Sequence, residues 1–221
     1  MRHEGGPFSY RRSRAVPDGA TVMIGGFMGV GSPHRIIAAL VARGARGLTV
    51  IANDTARPGV GIGRLITAGC VAKVIASHIG TNPETQRLML AGELAVELVP
   101  QGTLAERIRA GGAGLGGVLT ATGLGTLAAK GRQVIRVDGR DWLVEPALTA
   151  EVALLAARSA DYNSNLVYSL TARNFNPLMA MAAETVLAEP NEIVPLGVLA
   201  PDAIHTPGVL VDHLIERPQL A

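Results

Sequence analysis

The sequence is short of aromatic residues, of charge and of cysteine, and each shortage closes off a class of protein. Phe, Trp and Tyr make up only 3% of the 221 residues, so any core has to be assembled from Ala, Val, Leu and Ile. Charged residues stand at 17% against 48% hydrophobic ones, and the mean hydropathy is +0.30. That balance excludes intrinsic disorder. The 20 Lys and Arg face 18 Asp and Glu, a net charge of +2; no basic stripe dominates, which argues against nucleic-acid binding as the main task. The single cysteine, Cys70, cannot close an internal disulfide and gives no sign of an oxidising compartment. Met1–Val16 holds four arginines but no apolar h-region of a signal peptide, so a cytoplasmic location is expected. A chain of this length buries roughly 70% of its unfolded surface and needs neither disulfide nor metal to fold. So little charge on a globular chain points to apolar surface hidden against a partner.

Ala110–Ala129 runs 20 residues without a charge, the length of a membrane span. It contains Gly111, Gly112, Gly114, Gly116, Gly117, Gly123 and Gly125. Each glycine inside a helix costs roughly 1 kcal/mol relative to alanine, so a spanning helix is rejected in favour of a backbone loop approaching a ligand or another subunit.

The rest of the chain alternates between strand-like and helix-like stretches. Ala20–Phe27 reads as a buried strand. Ser32 and Pro33 follow as an expected N-cap and first-turn proline, Ile36, Ile37, Leu40 and Val41 recur at helical spacing, and Gly44 stops the helix. Leu48–Ala52 is the next strand, then a Gly-rich loop at Gly59–Gly63, a strand at Val71–Ser77, a helix at Glu84–Ala91 and a strand at Val96–Val99. Asp138-Gly139 between alternating runs predicts a β-hairpin over Gln133–Val144. Strands return at Val152–Ala156, Leu166–Leu170 and Thr185–Glu189, with a helix near Phe175–Ala183. This order predicts an α/β fold: one domain with a mainly parallel, doubly wound sheet covered by helices, plus the hairpin insertion near 133–144. Residues 1–15 lack helical periodicity and read as a disordered N-terminal tail, with the domain spanning 16–221.

The richest motif is Asp18–Pro33, a strand running through a glycine-rich turn into a helix. In a parallel sheet that turn lies at the carboxyl edge, where ligands bind. Free N–H groups and the helix dipole there favour an anion, although the same glycines also suit a tight turn with positive φ and no ligand. Neither Gly29-Val30-Gly31 nor Gly61-Ile62-Gly63 completes a dinucleotide fingerprint. Gly123-Leu124-Gly125-Thr126-Leu127-Ala128 matches the looser form, with Glu145 beyond it, and leaves an NAD-dependent oxidoreductase open. The histidines form no i, i+4 pair and join no cysteine or carboxylate at metal-ligand spacing; His78 can border a site beside Gly80-Thr81-Asn82. Cys70 reads as a small buried hydrophobe, and no nucleophile elbow occurs.

Asp18–Pro33, Ile51-Ala52-Asn53-Asp54, Ser77–Glu84, Val99–Arg107, Ile108–Gly114 and Ser169–Pro177 together resemble, in order, the signature segments of the family I CoA-transferase α subunit, over about residues 17 to 215. The likeness is greatest to bacterial acetate/acetoacetate CoA-transferase α subunits, with succinyl-CoA:3-oxoacid CoA-transferases more distant. The resemblance implies an exchange of CoA between a short-chain acyl-CoA and a carboxylic acid such as acetoacetate. It proceeds through an acyl-glutamyl anhydride and a glutamyl-CoA thioester on a β subunit, in an α₂β₂ assembly, with no permanently bound cofactor. The family nucleophile lies in Ser-Glu-Asn-Gly, and none of the 11 glutamates here precedes Asn-Gly. No catalytic nucleophile is therefore expected in this chain. The resemblance assigns Asn53 to the acyl pocket and Gln101 to the substrate carboxyl, and assigns Gly25, Gly26, Phe27, Met28, Gly29, Val30 and Gly31 to CoA. Each amide can instead simply tie its loop to the backbone. A metabolite-sensing domain of related fold is the remaining alternative.

Overall fold

A computed structural model describes residues 15–216; most of the tail expected over 1–15 lies outside them. The elements in chain order are β1 (Thr21–Ile24), α1 (His34–Arg43), β2 (Leu48–Asp54), α2 (Ile62–Thr67), β3 (Val71–His78), α3 (Pro83–Leu90), β4 (Ala95–Leu98) and α4 (Gln101–Gly112). They continue with β5 (Gly117–Thr120), β6 (Gln133–Val137), β7 (Arg140–Pro146), β8 (Ala150–Asp161), β9 (Leu166–Val167), α5 (Asn176–Met181), β10 (Ala183–Val194) and β11 (His213–Leu214).

The large sheet has the order β11-β10-β8-β1-β2-β3-β4, parallel throughout, with the short β9 antiparallel to β8. Its strands are apolar on both faces, as a covered parallel sheet requires. Val22, Ile24, Val50, Ala52, Val74 and Leu154 point to the side of α1 and α2, where Ile37, Leu40 and Leu65 meet them. Met23, Ile51, Ile75 and Leu155 point the other way, to Leu104 and Ile108 of α4 and Met179 of α5. Helices therefore cover both faces, and the winding reverses between β1 and β8. The expected α/β doubly wound architecture is the one observed.

The second sheet, β5-β7-β6, is antiparallel. Its hairpin turns at Asp138 (φ +50°) and Gly139 (φ +75°), the two positive angles of the type I′ turn that Asp-Gly predicts. A cluster of charges, of which Arg107 and Glu145 are buried, docks this sheet on the large one. Glu97 of β4 pairs with Lys73 at 3.2 Å, Arg107 at 3.2 Å and Arg132 at 3.0 Å, while Arg132 also reaches Glu145 of β7 at 3.2 Å.

Several local expectations need correction. Ser32 does not cap α1: Pro33 holds the N-cap position, and the Ser32 hydroxyl instead donates to the Gly25 carbonyl at 3.0 Å. Gly44 does end the helix in the left-handed conformation, at φ +71°. The strand expected over Ala20–Phe27 stops at Ile24, and the loop expected over Gly59–Gly63 becomes helical at Ile62. Strand β9 stops at Val167 and gives way to a 3-10 turn at Leu170–Arg173. The uncharged run 110–129 is no single loop. It comprises the end of α4, strand β5 and a 3-10 turn, and Gly111, Gly112 and Gly117 serve close packing: a Cβ on Gly111 would lie 2.1 Å from the Leu148 carbonyl oxygen. No helix among the described residues is long and apolar enough to cross a membrane.

Candidate functional site

Three strands deliver polar side chains to the carboxyl edge of the large sheet, next to the β1/β8 reversal where such sheets take ligands. The pleat sorts them. Asn53 follows the parity of Ile51 and Ser77 that of Ile75, so both fall on the α4 face, where Gln101 opens the helix after β4. Asp54 falls on the opposite face, toward the glycine-rich turn.

On the α4 face, Gln101 Nε2 donates to Asn53 Oδ1 at 2.9 Å, and the Ser77 hydroxyl lies 2.9 Å from the same oxygen and 2.7 Å from the Asn53 carbonyl. Asn53 Nδ2 faces Asn174 Oδ1 at 3.5 Å. Asn53 is 1% exposed whereas Gln101 is open to solvent. The cluster is thus a buried amide held from two sides, with an exposed amide at its mouth. It contains donors and acceptors but no permanent charge.

On the other face, both oxygens of buried Asp54 are committed. Oδ2 accepts the Met28 N–H at 2.9 Å and Oδ1 the Ala56 N–H at 2.6 Å. The glycine-rich turn is thereby tied to the residue beside Asn53. Phe27 and Val30 exchange backbone hydrogen bonds of 2.9 Å in both directions, and Met28 (φ +53°) and Gly29 (φ +88°) form the tip between them. A two-residue turn with both angles positive strains any side chain at its centre, and the Thr81 hydroxyl supports Met28, reaching its sulfur at 3.3 Å and the Ala56 carbonyl at 3.0 Å.

Most of the glycines expected to meet CoA are turned inward. A Cβ on Gly25 would sit 2.0 Å from Asn176 Oδ1, and one on Gly31 2.6 Å from the Ala172 carbonyl oxygen. Asn176 itself is fully buried, donating to the Gly31 and Ala172 carbonyls and accepting from Ala156 N–H. What the turn offers outward is Phe27 and Val30, 47% and 58% exposed.

The anion expected at the N-terminus of α1 is supplied by the protein. The buried Glu189 carboxylate accepts the Ile36 N–H at 2.8 Å and is also held by the Arg35 backbone, with the Arg35 guanidinium 3.6 Å away. Burial pushes this carboxyl above its ordinary range despite those partners. The loose dinucleotide match fares no better. Gly123-Leu124-Gly125 follows a strand of the antiparallel sheet and leads into a three-residue 3-10 turn, Leu127–Ala129, not into a crossover helix.

His78 ends β3 on the same edge, its ring folded over Gly80. Cys70 is buried, and burial raises its thiol pKa. Among the described residues, no three of His, Cys, Asp and Glu gather as a metal ion needs. Ser77, Asp54, Thr81, Asn174 and Asn176 are not among the residues selected from sequence. Asn53 is selected by the resemblance alone, whereas its place at a strand end is one that Ser77 shares. Asn174 and Asn176, the latter opening α5, reach the edge from more than a hundred positions away; they lie in the Ser169–Pro177 segment that the resemblance includes, but nothing there marks either residue singly.

The coenzyme A transferase family model matches residues 9–217. The chain is 58% identical over 198 residues to the acetate CoA-transferase subunit alpha of Escherichia coli (strain K12), covering 90% of each chain. It is 50% identical over 201 residues to the acetoacetyl-CoA:acetate/butyrate CoA transferase alpha subunit of Clostridium acetobutylicum, covering 91% of this chain and 92% of that one. In fold it superimposes on an acyl-CoA transferase from Escherichia coli O157:H7, solved as a thioester complex with CoA, with a TM-score of 0.85 at 21% identity. That alignment takes in 95% of this chain but 46% of the other, so this chain spans about half of it. The strand-end amides, the glycine-rich turn and the doubly wound sheet thus sit in a chain that belongs to the coenzyme A transferase family.

Proposed function

We propose that this chain is the α half of an enzyme that moves CoA from a short-chain acyl-CoA to a carboxylic acid such as acetoacetate, with a β subunit supplying the glutamate nucleophile. The observation that carries the reading is the neutral cluster Asn53–Gln101–Ser77 at the carboxyl edge, beside a carboxylate whose oxygens are both committed to backbone N–H groups. Such a site binds a carboxylate or a developing oxyanion but has no free nucleophile of its own. In the proposed reaction a glutamate oxygen of the partner attacks the thioester carbonyl, and the C–S bond breaks to release CoA thiolate. That thiolate attacks the glutamyl carbonyl of the resulting anhydride, forming a glutamyl-CoA thioester and freeing the first carboxylate. The acceptor acid then reverses both steps.

The contribution of this chain is electrostatic and steric. Amide N–H groups of Asn53 and Gln101 meet the oxygen that gains charge; one well-placed donor of this kind is worth roughly 10²–10³ in rate. Uncharged donors do this without an ion pair that would quiet the nucleophile. The Phe27–Val30 tip, fixed by Asp54, presents apolar surface that helps exclude water from the anhydride, and the turn as a whole is the expected contact for CoA. Relatives named as α subunits of acetate and acetoacetyl-CoA transferases support the substrate class. The test is reconstitution. The purified chain should show no acyl-CoA:carboxylate exchange, and adding the β subunit should restore it. Exchange by this polypeptide on its own would overturn the reading.

A further inference from the structure

Asn174 stands where glycine fits more easily. Its backbone takes φ +31° and ψ −125°, and Phe175 after it takes φ −85° and ψ −5°. Those angles approach the two central positions of a type II′ turn, the first of which needs positive φ and ordinarily falls to glycine. A side chain held against such a preference is strain of the kind that collects at active sites. The segment is anchored from several sides. Asn174 N–H donates to the Thr171 carbonyl at 3.2 Å, and Asn176 Nδ2 donates to the Ala172 carbonyl at 2.9 Å. The same Ala172 carbonyl backs onto Gly31 of the glycine-rich turn.

The Asn174 side chain extends the amides of the carboxyl edge head to tail. Ser77 and Gln101 both donate to Asn53 Oδ1 at 2.9 Å, which turns Asn53 Nδ2 toward Asn174 Oδ1 at 3.5 Å. Every link runs the same way, from Gln101 through Asn53 to Asn174, so the row ends on Asn174 Nδ2. Among the described residues that nitrogen has no hydrogen-bond partner, and it is not closed off from solvent. Asn53 is buried, whereas Asn174 is half-buried and Gln101 exposed. Hydrogen bonds linked in one direction polarise one another, which strengthens the donor at the end of the row. Ser77 is what sets that direction, because its hydroxyl holds Asn53 Oδ1 on the side away from Asn174.

We propose that Asn174 Nδ2 is a further donor to the reacting carboxyl oxygen, acting beside the second N–H of Asn53 and of Gln101. The assignment rests on the transferase reading given above. It is tested in the complex with the β subunit, using acetoacetate as the acceptor acid and recording kcat, KM and melting temperature. Asn174→Gly adopts the turn freely, so its complex should melt at or above the wild-type temperature while kcat/KM falls by about 10²-fold, the loss expected for one donor. Asn174→Asp keeps an acceptor for Asn53 Nδ2 but has no N–H of its own. Its kcat at saturating acetoacetate should therefore fall by a similar factor, with KM raised as well by the added charge.

Asn174→Gly with wild-type kinetics, whatever its melting temperature, would reduce the residue to a tether of the turn and overturn the proposal. So would Asn174→Asp with a raised KM and an intact kcat, since the charge would then merely repel the acid. Where Asn174→Gly loses both stability and activity, the kcat of Asn174→Asp decides. A wild-type complex without exchange would instead sink the transferase reading itself, whereas an active wild type matched by its variants sinks only the role of Asn174.

Discussion

The carboxylate of Glu189 on β10 accepts the N–H of Ile36 in the first turn of α1, at 2.8 Å and across 153 positions of sequence. The helix following the glycine-rich turn therefore carries its own anion, and a ligand's phosphate gains less there than the sequence implies. Glu189 also fixes where α1 starts, and with it the path of the chain leaving the turn.

Truncating that group should be felt throughout the turn. Glu189→Ala leaves a buried N–H without an acceptor and the Arg35 side chain without its carboxylate, and should cost about 1–3 kcal/mol of stability. Glu189→Gln keeps an acceptor oxygen and should lose less. Chemical denaturation of the three proteins checks the order.

Asn53 and Gln101 should behave as a unit. Asn53→Ala in the reconstituted enzyme is expected to lower kcat/KM by about 10²-fold, the value of one oxyanion donor. Gln101→Ala should lose turnover as well, with folding and assembly intact. Since Gln101 donates to Asn53 Oδ1, the double variant should lose clearly less than the product of the two single losses. Full additivity would mean that the two amides act on different parts of the substrate.

Glycines separate by what surrounds them. Gly25→Ala drives a Cβ to 2.0 Å from Asn176 Oδ1, and overpacking of that kind should cost about 1–3 kcal/mol. Gly59, unlike Gly25, has a positive φ, +76°, and no atom lies within 4 Å of a Cβ there. Gly59→Ala should therefore show only the left-handed conformational penalty of about 1–2 kcal/mol. Pairing Gly25→Ala with Asn176→Ala should recover part of the lost melting temperature by removing the clash, whereas Gly59→Ala should gain nothing from it.

Acid should loosen the joint between the two sheets. Burial alone would raise the Glu97 carboxyl, but hydrogen bonds from Arg107 and Lys73 outweigh it, and its pKa ends below the ordinary 4.5. With the folded value depressed, the unfolded chain binds this proton more tightly. The pairing thus stabilises the fold above the unfolded-state value and is lost as pH falls through the folded one. Denaturation midpoints measured from pH 7 down to pH 3 should decline less steeply for Glu97→Gln than for wild type.

Much of the architecture is local enough to be read from the chain. Gly44 ends a helix because only a residue without Cβ takes φ +71° cheaply, and Asp138-Gly139 turns a hairpin because both positions require positive φ. Asn53 and Gln101 come to one edge because parallel strands share a carboxyl end. Helix α4 was less legible, since its last turn is glycine packed on Leu148 and Met181 and resembles a loop in composition. Ser32 shows the limit of a motif: its hydroxyl had two acceptable uses, and the nearby Gly25 carbonyl, set by the turn, decided between them. Glu189 and Asn176 depend on which strands end up adjacent, which no window of sequence contains.

That adjacency has a consequence for how the protein is made. β1 lies in the middle of the large sheet, yet its neighbour on one side is β8, with Val22 opposite Val152. During synthesis at roughly 5–20 residues per second, β1 can pair with β2 almost at once, but its other edge waits about 6 to 26 seconds for β8 to emerge. Through that interval the nascent chain exposes an apolar strand edge and the unclosed faces of two cores. Folding of the full sheet is then governed by the arrival of its second half, and conditions that slow elongation between β2 and β8 should raise aggregation of the newborn chain without altering the stability of the finished one.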